Sequence, residues 1–98
     1  MVIEIEKVMS PYPIVDKIRA FGHNVIEIDG NDIAKIDNAI IEAKNTKGCP
    51  TVIVAKTVKG KGISFMENQV GWHGRAPSEE QRDIAIGELD KILSLLEE

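Results

Sequence analysis

The sequence is poor in several things, and each scarcity excludes a class of protein. Its 98 residues contain a single cysteine, Cys49. No internal disulfide and no cysteine-built metal site can form from one thiol. Aromatic residues make up only 4% of the chain, so Ile and Val must carry the core. The longest wholly apolar run is Val52-Ile53-Val54-Ala55, far too short for a bilayer span. The opening residues MVIEIEKV carry acids where a secretory leader has a basic start and a longer apolar stretch. A reducing, cytoplasmic setting is therefore expected, with no membrane association. The net charge of −4 argues against nucleic acid as a partner.

What is present suits one small globular domain, expected to run from 1 to 98. Hydrophobic residues reach 43% and charged residues 29%, too apolar for disorder and ordinary in charge. The charge is uneven, however. Segment 55–77, AKTVKGKGISFMENQVGWHGRAP, sets Lys56, Lys59, Lys61 and Arg75 against Glu67 alone, and it holds half of the 8 glycines. A basic, glycine-rich stretch on an acidic body has the makings of an anion site. The bland alternative is a flexible surface connection. A loop of this length is generally either functional or disordered, and Phe65 and Trp72 inside it speak against disorder.

Periodicity gives a coarse layout. Residues 2–5 alternate like a strand. Ser10 and Pro11 are expected to open a helix that points Ile14, Val15, Ile18 and Phe21 inward and stops at Gly22. Residues 24–28 read as a strand closed by Asp29-Gly30. Asn31 or Asp32 then caps a helix over 32–46, with Ile33, Ile36, Ile40 and Ala43 on its apolar face. Gly48 and Pro50 end it. TVIVAKT, 51–57, is short, β-branched and apolar on both faces, the pattern of a central parallel strand covered on both sides. Ser78 and Gln81 form a capping box for a last helix over 79–96, with Ala85, Leu89, Ile92 and Leu96 on one stripe. The order of elements predicts an α/β fold, a small parallel sheet with flanking helices and right-handed crossovers. Two or three strands are few for a parallel sheet, so the chain reads as part of a larger α/β layer.

Ligands of open α/β sheets bind beyond the carboxyl ends of the strands, and the loop over 58–77 leaves the best strand there. Gly60 and Gly62 would let backbone N–H groups approach an anion, while Lys59 and Lys61 add charge. The pattern is neither a Walker A loop nor a GxGxxG fingerprint. His73 lies in the same loop and is a candidate proton shuttle or diphosphate donor. A lone His is more often structural, as His23 is here, following a helix end. Asp29-Gly30-Asn31 is read as a strand-to-helix turn, and Cys49, with no visible base partner, as incidental.

The loop AKTVKGKGISFMENQVGWHGRAP, with PTVIVAKT before it and an acidic helix after it, resembles transketolase. It is most similar to the N-terminal, thiamine diphosphate-binding subunit of the split two-subunit type, and to the C-terminal part of that subunit. VDKIRAFGHNVIEIDGNDIAKIDNAIIEAK upstream fits the same family, with His23 where Trp is common and Asn31 where His is common. The resemblance implies a portion of a three-layer thiamine diphosphate-binding domain. It also implies thiamine diphosphate with Mg²⁺ or Ca²⁺, and passage of a two-carbon glycolaldehyde unit from a ketose phosphate to an aldose phosphate. Carried over residue by residue, it makes Lys59 a cofactor contact that neutralises diphosphate charge. It places His73, as the catalytic residue, between diphosphate and donor sugar, and leaves Gly60 to shape the approach. Phe65 and Trp72 are expected to pack.

The family's G-D-G motif and its following Asn, which bind metal and diphosphate, have no counterpart here. The metal ligands are therefore expected outside this chain, and the activating glutamate on the C-terminal transketolase subunit. The implied partners are that subunit, the remainder of the N-terminal subunit and sugar phosphates, in a homo- or hetero-oligomer. The chain alone is expected to be inactive. The competing expectation is a non-catalytic module that binds a phosphorylated metabolite or assembles subunits.

Overall fold

A computed structural model describes residues 4–97, which divide into two compact units, 4–57 and 58–97. The first unit contains α1 (Ile5–Val8), α2 (Ile14–Ala20), β1 (Asn24–Asp29), α3 (Ile33–Asn45) and β2 (Thr51–Lys56). The second contains a single 3-10 turn (Val70–Trp72) and α4 (Glu79–Leu96). The architecture is α/β, with a two-stranded parallel sheet and flanking helices.

β1 and β2 pair in parallel from Asn24 against Thr51 to Asp29 against Lys56. Parallel neighbours need a crossover between them, and α3 supplies it. The Asn24 side-chain amide donates to Thr51 Oγ1 at 3.3 Å, and Asn24 N–H donates to the Pro50 carbonyl at 2.9 Å. The other end is pinned by Gly30 N–H donating to the Lys56 carbonyl at 2.7 Å. The approach is so close that a Cβ on Gly30 would lie 2.6 Å from Thr57 Cγ2 and 2.8 Å from Ala55 Cβ. Asp29 Oδ1 accepts from Asn31 N–H at 3.0 Å, closing the expected turn. Asp32 is the residue that caps α3, its Oδ1 accepting from Lys35 N–H at 3.2 Å.

Several local expectations change. Residues 2–3 of the anticipated strand lie outside the described residues, and Ile5 begins α1 instead. A strand needs a ladder partner for its backbone groups, and among the described residues β1 pairs only with β2. The next helix starts at Ile14, with Pro13 rather than Ser10 at its N-cap. Proline disfavours helical backbone in the residue before it, so Tyr12 cannot lie in the helix. Ser10 Oγ accepts from Tyr12 N–H at 3.3 Å. Ile14, Val15 and Ile18 do turn inward, but Phe21 is 81% exposed. On α3 the inward face is Ile36, Ala39 and Ala43, while Ile33 is 82% exposed and Ile40 lies at the margin. Among the described residues β2 has one strand neighbour, β1, and is half-buried over 51–54.

Burial is thin. Ala39 and Ala85 are the only described hydrophobic residues that are fully buried. On α4, Leu89, Ile92, Leu93, Leu95 and Leu96 are all exposed. Only Ala85 of the expected stripe is enclosed. No described helix is long and apolar enough to cross a membrane.

These features predict weak cooperativity for the 98-residue chain by itself. It should bind a hydrophobic dye such as ANS and unfold with a shallow denaturant slope. A sharp urea transition without dye binding contradicts this. Gly30→Ala should cost about 1–3 kcal/mol by overpacking, read as faster amide exchange in 25–29 and 52–56.

Candidate functional site

The basic loop is built from consecutive turns. Lys61 N–H donates to the Val58 carbonyl at 3.2 Å, with Gly60 at φ 72° in the turn's third position. Ile63 N–H donates to the Gly60 carbonyl at 3.1 Å, with Gly62 at φ 98° in the equivalent place. Gln69 N–H donates to the Met66 carbonyl at 3.1 Å, with Asn68 at φ 58°. Turns of this kind need positive φ at the third residue, which Gly adopts freely and Asn tolerates. Asn68 N–H then donates to the Lys59 carbonyl at 3.0 Å and closes the loop on itself.

Gly60 is constrained twice. Besides its φ, a Cβ there would meet the Met66 carbonyl oxygen at 2.7 Å. Gly62 lies against α4, where a Cβ would be 3.2 Å from Leu89 Cδ2. Its N–H donates to Glu67 Oε1 at 2.9 Å. The expectation that the Gly62 N–H offers itself to an anion is therefore corrected: the loop's own carboxylate occupies that donor.

Two further contacts fix the loop. Ser64 N–H donates to Glu88 Oε2 at 2.7 Å, and the Ser64 hydroxyl donates to Glu88 Oε1. The hydroxyl first and then the N–H hold the Glu88 carboxyl below its ordinary range. Desolvation opposes this shift and the nearby Lys91 ammonium assists it. At the other end of the loop, Trp72 Nε1–H donates to the Phe65 carbonyl at 3.0 Å. The two rings are 5.4 Å apart and inclined by 53°, and the Arg75 guanidinium lies 4.1 Å from the Trp72 ring centroid. Phe65 and Trp72 pack, as their sequence context suggested.

Lys59 and His73 are both exposed on this loop. The His73 N–H donates to the Val70 carbonyl at 3.1 Å as it leaves the 3-10 turn. Among the described interactions no hydrogen bond or ion pair joins the Lys59 and His73 side chains, and Lys59, Lys61 and Arg75 enter no ion pair. The loop thus presents unneutralised cations on a backbone made rigid by turns, a suitable surface for a phosphorylated ligand. The donor set fits a diphosphate and does not fit its metal: among the described residues no three His, Cys, Asp or Glu side chains converge. Cys49 is free and exposed. Sequence reasoning missed Ser64 and Glu88, since nothing local links positions 24 apart. It counted Glu67 and Arg75 only as charges.

The chain is of the α/β class, with a turn-built, cationic loop following its second parallel strand. The particular family is that of the transketolase thiamine diphosphate-binding domain, to which this chain belongs: the family model "Transketolase, thiamine diphosphate binding domain" matches residues 6–88. Among its relatives is the 6-deoxy-6-sulfo-D-fructose transketolase subunit SqwG of Clostridium sp., 42% identical over 79 residues. That match covers 81% of this chain and 29% of the relative. An apulose-4-phosphate transketolase subunit of Phocaeicola vulgatus is 34% identical over 92 residues, 94% of this chain and 33% of the relative. Transketolase-like protein 2 of Homo sapiens is 40% identical over 67 residues, 68% of this chain and 11% of the relative. The chain spans a third or less of the length of these relatives.

The two kinds of glycine in the loop should respond differently to a methyl group. Gly60→Ala meets both the strained φ and the Met66 carbonyl, and should cost about 1–3 kcal/mol. Gly74→Ala has open space and should be nearly silent. Emission of Trp72, the chain's single tryptophan, reads both; equal responses would refute the turn argument.

Proposed function

We propose that this chain is the portion of a transketolase that holds the diphosphate end of thiamine diphosphate and faces the donor sugar. The observation that carries the reading is the turn-built 58–77 loop, with Lys59, Gly60 and His73 in the order the family's motif requires. Lys59 neutralises diphosphate charge from a backbone turn that is formed before the ligand arrives. Gly60 keeps the turn compact, since any Cβ there meets the Met66 carbonyl. His73, exposed at the end of the 3-10 turn, donates a hydrogen bond to diphosphate or substrate oxygens and moves a proton. When bound, thiamine diphosphate supplies the carbon nucleophile that carries a two-carbon unit from a ketose phosphate to an aldose phosphate.

The divalent metal, Mg²⁺ or Ca²⁺, would be held by residues outside this chain. Completing the site would take the remainder of the N-terminal subunit and a C-terminal transketolase subunit, in the cytoplasm. The thin core and the exposed apolar face of α4 agree with a chain that assembles with others. The second reading, a module that binds phosphorylated metabolites or assembles subunits without catalysis, is favoured by the same exposed face.

Three measurements separate the readings. The intact mass of the native polypeptide should lie well above 10.8 kDa if the chain is part of a full subunit; a native mass at that value makes the module reading the leading one. In a coupled ketose-phosphate assay the chain alone should show no turnover above His73→Ala, and turnover there overturns the requirement for partners. Placed within the complete enzyme, Lys59→Ala should weaken thiamine diphosphate binding about 10- to 100-fold. There His73→Ala should lower kcat about 10²- to 10⁴-fold. Unchanged values for both would refute the assigned roles.

A further inference from the structure

Glu88 lies 24 positions after Ser64 and is the acceptor for both of that residue's donors, its N–H at 2.7 Å and its hydroxyl. Two donors on one carboxylate fix orientation as well as distance, and charge-assisted bonds of this type are the stronger kind. Two residues before Ser64, Gly62 rests against Leu89, the residue after Glu88, and against Ile92. The segment that directly follows the Lys59 turn is therefore seated on α4 at two adjacent points, one polar at Ser64 and one apolar at Gly62. Its other closures are internal to the loop: Gly62 N–H on Glu67, and Asn68 N–H on the Lys59 carbonyl. Without Glu88 the loop keeps its own shape and loses its polar attachment to the helix.

We propose that Glu88 is the positioning residue of the 58–77 loop, acting through Ser64 to hold the Lys59–Gly60 turn in place without itself touching a ligand. Its relevance to thiamine diphosphate rests on the functional reading above, whereas the anchoring does not. The group facing Glu88 from the loop is the uncharged Ser64, and on its own helix Lys91 is the charged group that acts on it. The folded carboxyl is held below its ordinary range, so the anchor is complete above that range and is lost as pH falls through the lowered value.

The 98-residue chain itself serves for the test, with no cofactor, so failure of the transketolase reading leaves the result standing. Trp72 reports on the loop and far-ultraviolet circular dichroism on α4. Glu88→Gln should shift Trp72 emission to the red at neutral pH and speed exchange of the Ser64 amide about tenfold, with helical ellipticity retained. Ser64→Ala, which keeps the backbone donor, should give a smaller shift in the same direction. In the parent chain, carbon-detected titration should place Glu88 below the ordinary glutamate range, with the Ser64 amide and Trp72 following Glu88. Unchanged emission in Glu88→Gln, or a Glu88 that titrates in the ordinary glutamate range, overturns the proposal. Should Glu88→Gln also lose ellipticity, the parent titration decides: loop and helix signals lost together overturn the proposal, and loop signals lost first support it.

Discussion

The Ser64–Glu88 contact is the polar link that seats the basic loop on α4. A glycine-rich segment with several like charges would, unaided, be an open surface connection, because its cations repel and its glycines lose much entropy on ordering. Three turns with a positive φ at the third residue shorten it, and Asn68 N–H on the Lys59 carbonyl closes it. Those bonds define a shape but not a position. The carboxylate of Glu88, with both its oxygens engaged by one serine, ties that shape to α4.

The same loop shows how a protein keeps cations available. Its two attached carboxylates, Glu67 and Glu88, are taken up by backbone N–H groups and a hydroxyl, not by lysine. Lys59 and Lys61 therefore stay unneutralised while the backbone beneath them is satisfied. Arg75 takes a different course and stacks on the face of Trp72, which leaves its edge donors available. A loop that used the same carboxylates in ion pairs would be no more ordered and would attract a phosphorylated ligand less strongly.

The 4–57 unit is ruled by a different constraint. A parallel pair requires cover from helices, and a β-α-β passage delivers one helix per crossover. Here α3 presents small side chains, Ala39 and Ala43, beside Ile36, which lets it lie close to the strands, while its larger Ile33 and Ile41 face outward. In the family to which the chain belongs, it accounts for a third or less of its relatives' length.

Much was legible from the sequence because it depends on neighbours along the chain. The capping box at Ser78 and Gln81 and the helix over Glu79–Leu96 follow from side chains three residues apart. Strands expected at 24–28 and 51–57 from β-branched runs punctuated by glycine and proline are found at Asn24–Asp29 and Thr51–Lys56. The motif spacing of Lys59, Gly60 and His73 led to the family. Tertiary structure alone decided which face of each helix is covered: Phe21 and Ile33 satisfy helical periodicity and still lie in water. It also decided that Ser10 would yield to Pro13 at the start of α2, and that the Gly62 N–H would be taken by Glu67. Above all it paired Ser64 with Glu88. Periodicity and capping act within a turn or two of backbone, whereas a contact across 24 residues exists only after the chain has closed a loop, and no local pattern records it.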